Sequence, residues 1–296
     1  MHALTGRLGA SRRACGFEPR GLPLALGRSA LALATLTVIL FCPDDGLFAY
    51  TPAYPDGVRC AGVAGLSLWC VMGAHGWALH LDRTLALAVL AVTASGWRPR
   101  WTCVPHWYVS FSLAESMTLP NGGEIVAQIA TLLLIPVCLA DRGRWQWHRP
   151  STPLPATWRG AAYAAVLTVR AQAAIIYTVA AVSKLREPAW RRGTAMYAVL
   201  HDPAYGLPAG VLRHAGAVAG SVPFIAVLTW TVPLVETAIA IAVLGTGRAR
   251  RLGLVLVVLL HGAIILTMGL VSFGLIMIGL VLVVCSGDEE GIGRAA

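Results

Sequence analysis

Apolar runs long enough to cross a bilayer recur along this chain, and arginine clusters separate them. A crossing needs about 20 consecutive apolar residues. Segments of that size lie at 22–42, 58–80, 84–101, 121–140, 158–183, 221–245, 250–268 and 270–286. The last two form one run too long for a single crossing, so the chain must turn near Met268-Gly269. Segments 105–118 and 206–219 are shorter and read as re-entrant or interfacial. Charged residues make up only 12% of the sequence, against about 25% in soluble domains. The expected fold class is all-α: a polytopic transmembrane helical bundle with about 6–8 spans plus short interfacial helices. With no internal repeat, we read an arginine-rich N-terminal segment, 1–21, one transmembrane domain, 22–286, and a short tail, 287–296.

The net charge of +9 does not indicate nucleic acid. The arginines sit in short clusters between apolar spans, which is how topology is set. The first apolar run follows Arg7, Arg12, Arg13, Arg20 and Arg28 and meets Pro43-Asp44-Asp45 rather than a cleavage site, so it reads as a first transmembrane helix. The N-terminus, 141–159, 246–250 and the Asp288-Glu289-Glu290 tail are expected to be cytoplasmic, in a multi-pass protein of the cell membrane. The loop 43–57 carries Asp44, Asp45 and Asp56 and reads as external. That count of spans puts 96–120 and 184–220 outside. Arg98, Arg100, Arg186, Arg191, Arg192 and Arg213 then break the positive-inside rule. The seven cysteines show no metal-ligand spacing, so no metal is expected. Cys42 and Cys60 flank the first outer loop and are the candidate disulfide.

Lys184 is the only lysine; the other 22 fixed cations are arginine. Arginine does not give up its proton in a protein, whereas lysine can. A site that needs an amine base or nucleophile must therefore use Lys184. The alternative is a helix-end lysine that snorkels to the headgroups. Arg170, Tyr177 and Lys184 are seven residues apart, and seven residues drift only about 20° around a helix. They share one stripe, with Ala173, Ala174 and Ala181 between them. Glu236 lies mid-span beside Pro233, where a lone carboxylate is costly, and Arg170 is its expected partner. His261, Met268 and Ser272 share a face if their helix is continuous. Trp190, Gly193 and Tyr197 fall on one face of an expected interfacial helix after Pro188. The segment with His106, Tyr108 and Ser110 offers donors to a substrate, ahead of a turn at Asn121-Gly122-Gly123.

Several of these stretches resemble the horizontally transferred transmembrane domain, the superfamily that includes the vitamin K-dependent γ-glutamyl carboxylase. They are Arg170-Ala-Gln172-Ala-Ala-Ile-Ile-Tyr177, Lys184-Leu185 with Trp190 and Gly193, Pro233-Leu-Val-Glu236, His261, and Gly269-Leu-Val-Ser272-Phe273. His106-Trp107-Tyr108-Val-Ser110, Gly122-Gly123, Leu133-Leu-Ile-Pro136 and Asp141-Arg142 make the chain similar to its bacterial branch, the sporulation-delaying protein B family. The resemblance covers about residues 22–286.

That resemblance implies an integral membrane protein required for maturation or export of a secreted antimicrobial peptide toxin, with direct modification at the outer face as one route. Its partners would be the toxin precursor, a small SdpA-like protein encoded alongside, and the lipid bilayer. Lys184, His261 and Tyr177 become the candidate catalytic residues. Arg170, Gln172, Glu236, His106, Tyr108, Trp190, Tyr197 and Ser272 become the candidate binding residues. In the carboxylase, the lysine in the matching position deprotonates a reduced quinone, so a reduced quinone is the cofactor this resemblance would supply. Two other readings stand beside this one: a non-catalytic scaffold or chaperone for the precursor, and a quinone-linked, carboxylase-like membrane enzyme.

Overall fold

The computed structural model describes residues 16–287 apart from 53, 55, 56, 74, 75 and 119–121. Arg7, Arg12, Arg13, Asp56, Asn121 and the acidic tail at 288–290 lie outside the described residues. Among the described residues the elements are all helices, as the long apolar runs indicate. In a bilayer a helix satisfies its own backbone polar groups. Six described helices are long and apolar enough to cross: α1 (Leu22–Phe41), α4 (Trp77–Ser95), α6 (Gly122–Leu139), α7 (Ala156–Arg186), α11 (Val222–Leu244) and α12 (Gly247–Met268). Between them lie the short helices α2 (Asp44–Leu47), α3 (Leu68–Val71), α8 (Pro188–Arg191) and α9 (Ala195–Leu200), with α10 (Ala209–Ala219). The last helix, α13 (Val271–Val284), starts after Gly269, whose φ of 68° makes the turn expected at Met268-Gly269.

The chain divides into two compact units, Met1–Val169 with Leu275–Ala296, and Arg170–Gly274. In the first, α1 packs on α4, and α5 (Pro99–Ser116) packs on both α4 and α6. Its core gathers Val38, Ile39, Leu47, Phe48, Trp69, Leu90 and Leu113. The 58–80 run does not form a crossing helix. It folds as a 3₁₀ turn at Gly62–Leu66 and then α3, closed by a Cys60–Cys70 disulfide. The expected Cys42–Cys60 bond is therefore replaced, and Cys42 is free. Trp69 of this segment enters the core beside Phe48, 5.6 Å between ring centres, while Val63, Leu66 and Val71 stay exposed.

Helix α5 is the second correction. The 105–118 segment belongs to an 18-residue helix, about 27 Å long, and is neither short nor re-entrant. At its start, Arg98 N–H donates to Arg144 O at 2.8 Å. At its end, Arg59 N–H donates to Ser116 O at 3.2 Å, beside the disulfide loop. It therefore runs the length of the first unit. The segment 96–101 lies at the same end as 141–147, and Gln146 N–H donates to Gly96 O at 3.0 Å. Arg98 and Arg100 thus join Arg142 and Arg144, and the placement of 96–100 opposite 141–159 is overturned. Helix α5 is not among the six apolar candidates, yet its course between the two ends puts these two arginines on the side of Arg142 and Arg144.

A clasp closes the arginine end. Arg20 donates through Nε and Nη2 to the two Glu18 carboxylate oxygens at 2.7 and 2.6 Å, and Leu154 N–H donates to Glu18 Oε2 at 2.9 Å. Burial opposes ionisation of Glu18, but the bonds from Arg20 and Leu154 outweigh it and hold this carboxyl below its usual 4.5. A depressed folded value contributes stability above the unfolded value, which is lost as pH falls through the folded one. Thermal unfolding in detergent should therefore lose stability as pH drops below about 4.5, and Glu18→Gln should flatten that slope. For the topology, cysteines replacing Arg100 and Arg142 should react with an impermeant maleimide from the same side of the membrane. A cysteine replacing Val63 should react from the other side. Opposite labelling of the first two would break the assignment of α5.

Candidate functional site

The second unit holds the ionisable groups. From Arg170 onward α7 presents a buried stripe of Ala173, Ala174, Tyr177 and Ala181, ending at half-buried Lys184. The seven-residue spacing produces this stripe, as the sequence indicates. Helix α11 packs along α12 and carries Glu236 inward. Lys184 Nζ donates to Glu236 Oε1 at 2.7 Å, and the two side chains are 24% and 9% exposed. The carboxylate thus meets Lys184 and not Arg170. Arg170 lies half-buried at the start of the stripe, four turns of helix below the pair.

Trp190 on α8 caps the amine, with Lys184 Nζ 5.6 Å from its ring centre. Its position depends on the break at Gly193. With φ at 73°, Gly193 ends α8 and starts a turn before α9, tight against Ala226 of α11. The single amphipathic helix expected to place Trp190, Gly193 and Tyr197 on one face is therefore two short helices. Tyr197 is exposed and stacks on His201, ring centres 4.2 Å apart.

Two turns before Lys184 on α7, Tyr177 OH and His261 Nε2 share a hydrogen bond of 3.0 Å, both side chains buried. Phe273 packs edge-on against the imidazole at 5.3 Å. Ser272 is half-buried, but the turn at Gly269 interrupts the continuous helical face proposed for His261 and Ser272. Gln172 is half-buried on α7. Two polar atoms in this unit are buried without a hydrogen-bond partner among the described residues, Glu236 Oε2 and His261 Nδ1. Buried polar atoms are rarely left so. Among the described residues no group of three His, Cys, Asp or Glu side chains could hold a metal ion.

His106 and Tyr108 belong to α5 of the first unit. His106 is buried, and Tyr108 OH donates to Leu66 O at 3.0 Å, which ties down the disulfide loop. Three buried charged residues escaped the sequence reading: Arg28, Asp82 and Glu124. Asp82, one turn into α4, has neither oxygen bonded among the described residues. Arg28, read as part of a topology cluster, is 2% exposed inside the first unit. Its position within an apolar run was the available signal.

Helices that cross a membrane, with an ion pair and a Tyr–His pair sheltered among three of them, define an integral membrane protein with an internal polar site. The chain is 34% identical over 277 residues to sporulation-delaying protein SdpB of Bacillus subtilis (strain 168), covering 93% of this chain and 84% of that one. It is 32% identical over 258 residues to the uncharacterized protein YitO of the same organism, covering 87% and 82%. The chain belongs to the SdpB family. No family model matches it, and no solved structure does.

Removing one member of a sheltered ion pair leaves the other uncompensated, at a cost of about 3–5 kcal/mol, whereas replacing both by apolar groups is often neutral. Lys184→Met and Glu236→Leu should each lower the thermal stability of the purified protein in detergent, and the double variant should recover most of the loss. Additive losses would mean that the two side chains do not meet in the folded protein.

Proposed function

We propose that this protein acts in the cell membrane in the maturation or export of a secreted peptide toxin of the sporulation-delaying type, and that Lys184 is the reacting group of its site. One observation carries the reading: the only lysine of the chain is held at 2.7 Å by a buried carboxylate, on a helix lined by alanine, isoleucine and valine. Kinship with SdpB supplies the biological setting, with a toxin precursor and a small SdpA-like protein as partners.

The chemistry follows from the pair. Lys184 can pass one proton to Glu236 Oε1, leaving a neutral amine and a neutral carboxyl. A neutral pair is less costly to keep dry than two separated charges. The amine lone pair can then take a proton from a substrate, and Glu236 can return one. Glu236 Oε2 is an acceptor, and His261 Nδ1 is a donor when Tyr177 donates to Nε2. A peptide bond presents the complementary donor and acceptor. No step of this proposal requires a quinone. The N-terminus and the 141–159 segment face the cytoplasm in this reading. That leaves the Cys60–Cys70 loop outside, where disulfides persist.

A non-catalytic scaffold makes the opposite forecast for one substitution. Arginine keeps the charge, the long stem and the bond to Glu236. If Lys184 transfers protons, Lys184→Arg and Lys184→Ala should both abolish toxin activity in producing cells while membrane abundance stays near wild type for the arginine variant. Full activity with Lys184→Arg would sink the catalytic reading and leave the scaffold.

A further inference from the structure

The arginine end of the first unit encloses a cavity of about 350 Å³. Its wall brings together Arg28 of α1 with Arg142, Arg144 and Arg149 of the segment after α6. Arg28 lies about 9 Å along α1 from its start and is 2% exposed. Its guanidinium donates to Gln146 Oε1 at 2.8 Å and to Thr102 Oγ1, both neutral acceptors. Gln146 is itself fixed, donating to Ser29 Oγ at 2.8 Å and Ala25 O at 3.1 Å. The two nearby carboxylates are engaged elsewhere: Glu18 bonds Arg20 at 2.6 Å, and Asp141 lies 3.6 Å from the same guanidinium. Among the described residues, no carboxylate within ion-pair distance neutralises Arg28, Arg142, Arg144 or Arg149. A buried guanidinium with only neutral acceptors, beside a cavity lined also by Arg142, Arg144, Arg149 and the paired Arg20 and Asp141, is set up for an anion.

The surroundings indicate which anion. The cavity sits where α1 and α5 begin and α4 and α6 end, at the depth where spans meet headgroups. Trp97, Trp101 and Trp147 are partly or largely exposed at this same end, Trp101 at 66%. Exposed tryptophans mark the membrane–water interface. Guanidinium groups match phosphate oxygens through paired N–H donors. Basic pockets between spans are recurrent headgroup sites. We propose that this cavity binds the phosphate of an anionic phospholipid headgroup.

The test uses the full chain in nanodiscs of phosphatidylcholine, with and without about one fifth phosphatidylglycerol, released into native mass spectrometry. Wild type should retain phosphatidylglycerol in preference to phosphatidylcholine. The double variant Arg144→Gln/Arg149→Gln removes exposed groups and leaves the buried network intact. It should lose that retention by roughly tenfold or more. Arg248→Gln/Arg251→Gln, which changes exposed arginines of the second unit, should keep it. Equal retention of the two lipids, or equal loss in both double variants, would overturn the proposal. So would displacement of the lipid by millimolar inorganic phosphate, since that outcome identifies a soluble-anion site.

Discussion

A bilayer offers no water to a polar side chain, so every charge carried into a span must be answered by the protein itself. In the second unit the answer is the bond between Lys184 and Glu236, and the elements around it follow. Helix α11 must present Glu236 toward α7. The break at Gly193 lets Trp190 cover the amine. In the first unit the same constraint produces a different solution. Arg28 is answered by neutral oxygens of Thr102 and Gln146, held by α5 and by the segment that follows α6.

Much of the fold was legible from apolar length alone. Leu22–Phe41, Gly122–Leu139, Val222–Leu244 and Gly247–Met268 emerge within a few residues of their apolar runs because each is apolar on nearly every face. The errors have one origin. Helix α5 was hidden because Thr102, His106, Ser110, Ser112 and Ser116 are turned inward, which lowers its hydropathy without changing its course. The 58–80 run was misread for the reverse reason. Its apolar residues divide between a buried set, Val58, Ala64 and Trp69, and an exposed set, Val63, Leu66 and Val71, around a disulfide, and a count of apolar residues does not say what backbone carries them. The stripe on α7 was legible because a period of seven is a local property. The partner of Glu236 was not, since it depends on which faces of α7 and α11 meet. Arg170 and Lys184 are equally good electrostatic candidates until that rotation is known.

The identity to SdpB extends over most of both chains, so the family assignment does not rest on a short motif. The site arrangement adds what identity does not provide. Tyr177, Lys184, Glu236 and His261 come from three helices and form two bonded pairs, Lys184 with Glu236 and Tyr177 with His261. Each pair leaves one polar atom unpartnered among the described residues. Under the proposed function a polar substrate would meet these two atoms; buried atoms of Asp82, His106 and Ser110 in the first unit are likewise unpartnered among the described residues.

The choice of lysine sharpens this argument. Where this chain needs only a fixed cation, it uses arginine, whether at the headgroups, in the Glu18 clasp or buried in the Arg28 network. Arginine would serve an ion pair with Glu236 at least as well, since its planar fork can bind both carboxylate oxygens, including the Oε2 that Lys184 leaves unmet. Pair stability alone therefore gives no reason for lysine at this one position. What lysine offers and arginine does not is a proton that can leave and a lone pair that can react. The single departure from arginine falls on a cation bonded to Glu236 within a span, and the proposed reactivity of Lys184 would account for that choice where pair stability does not.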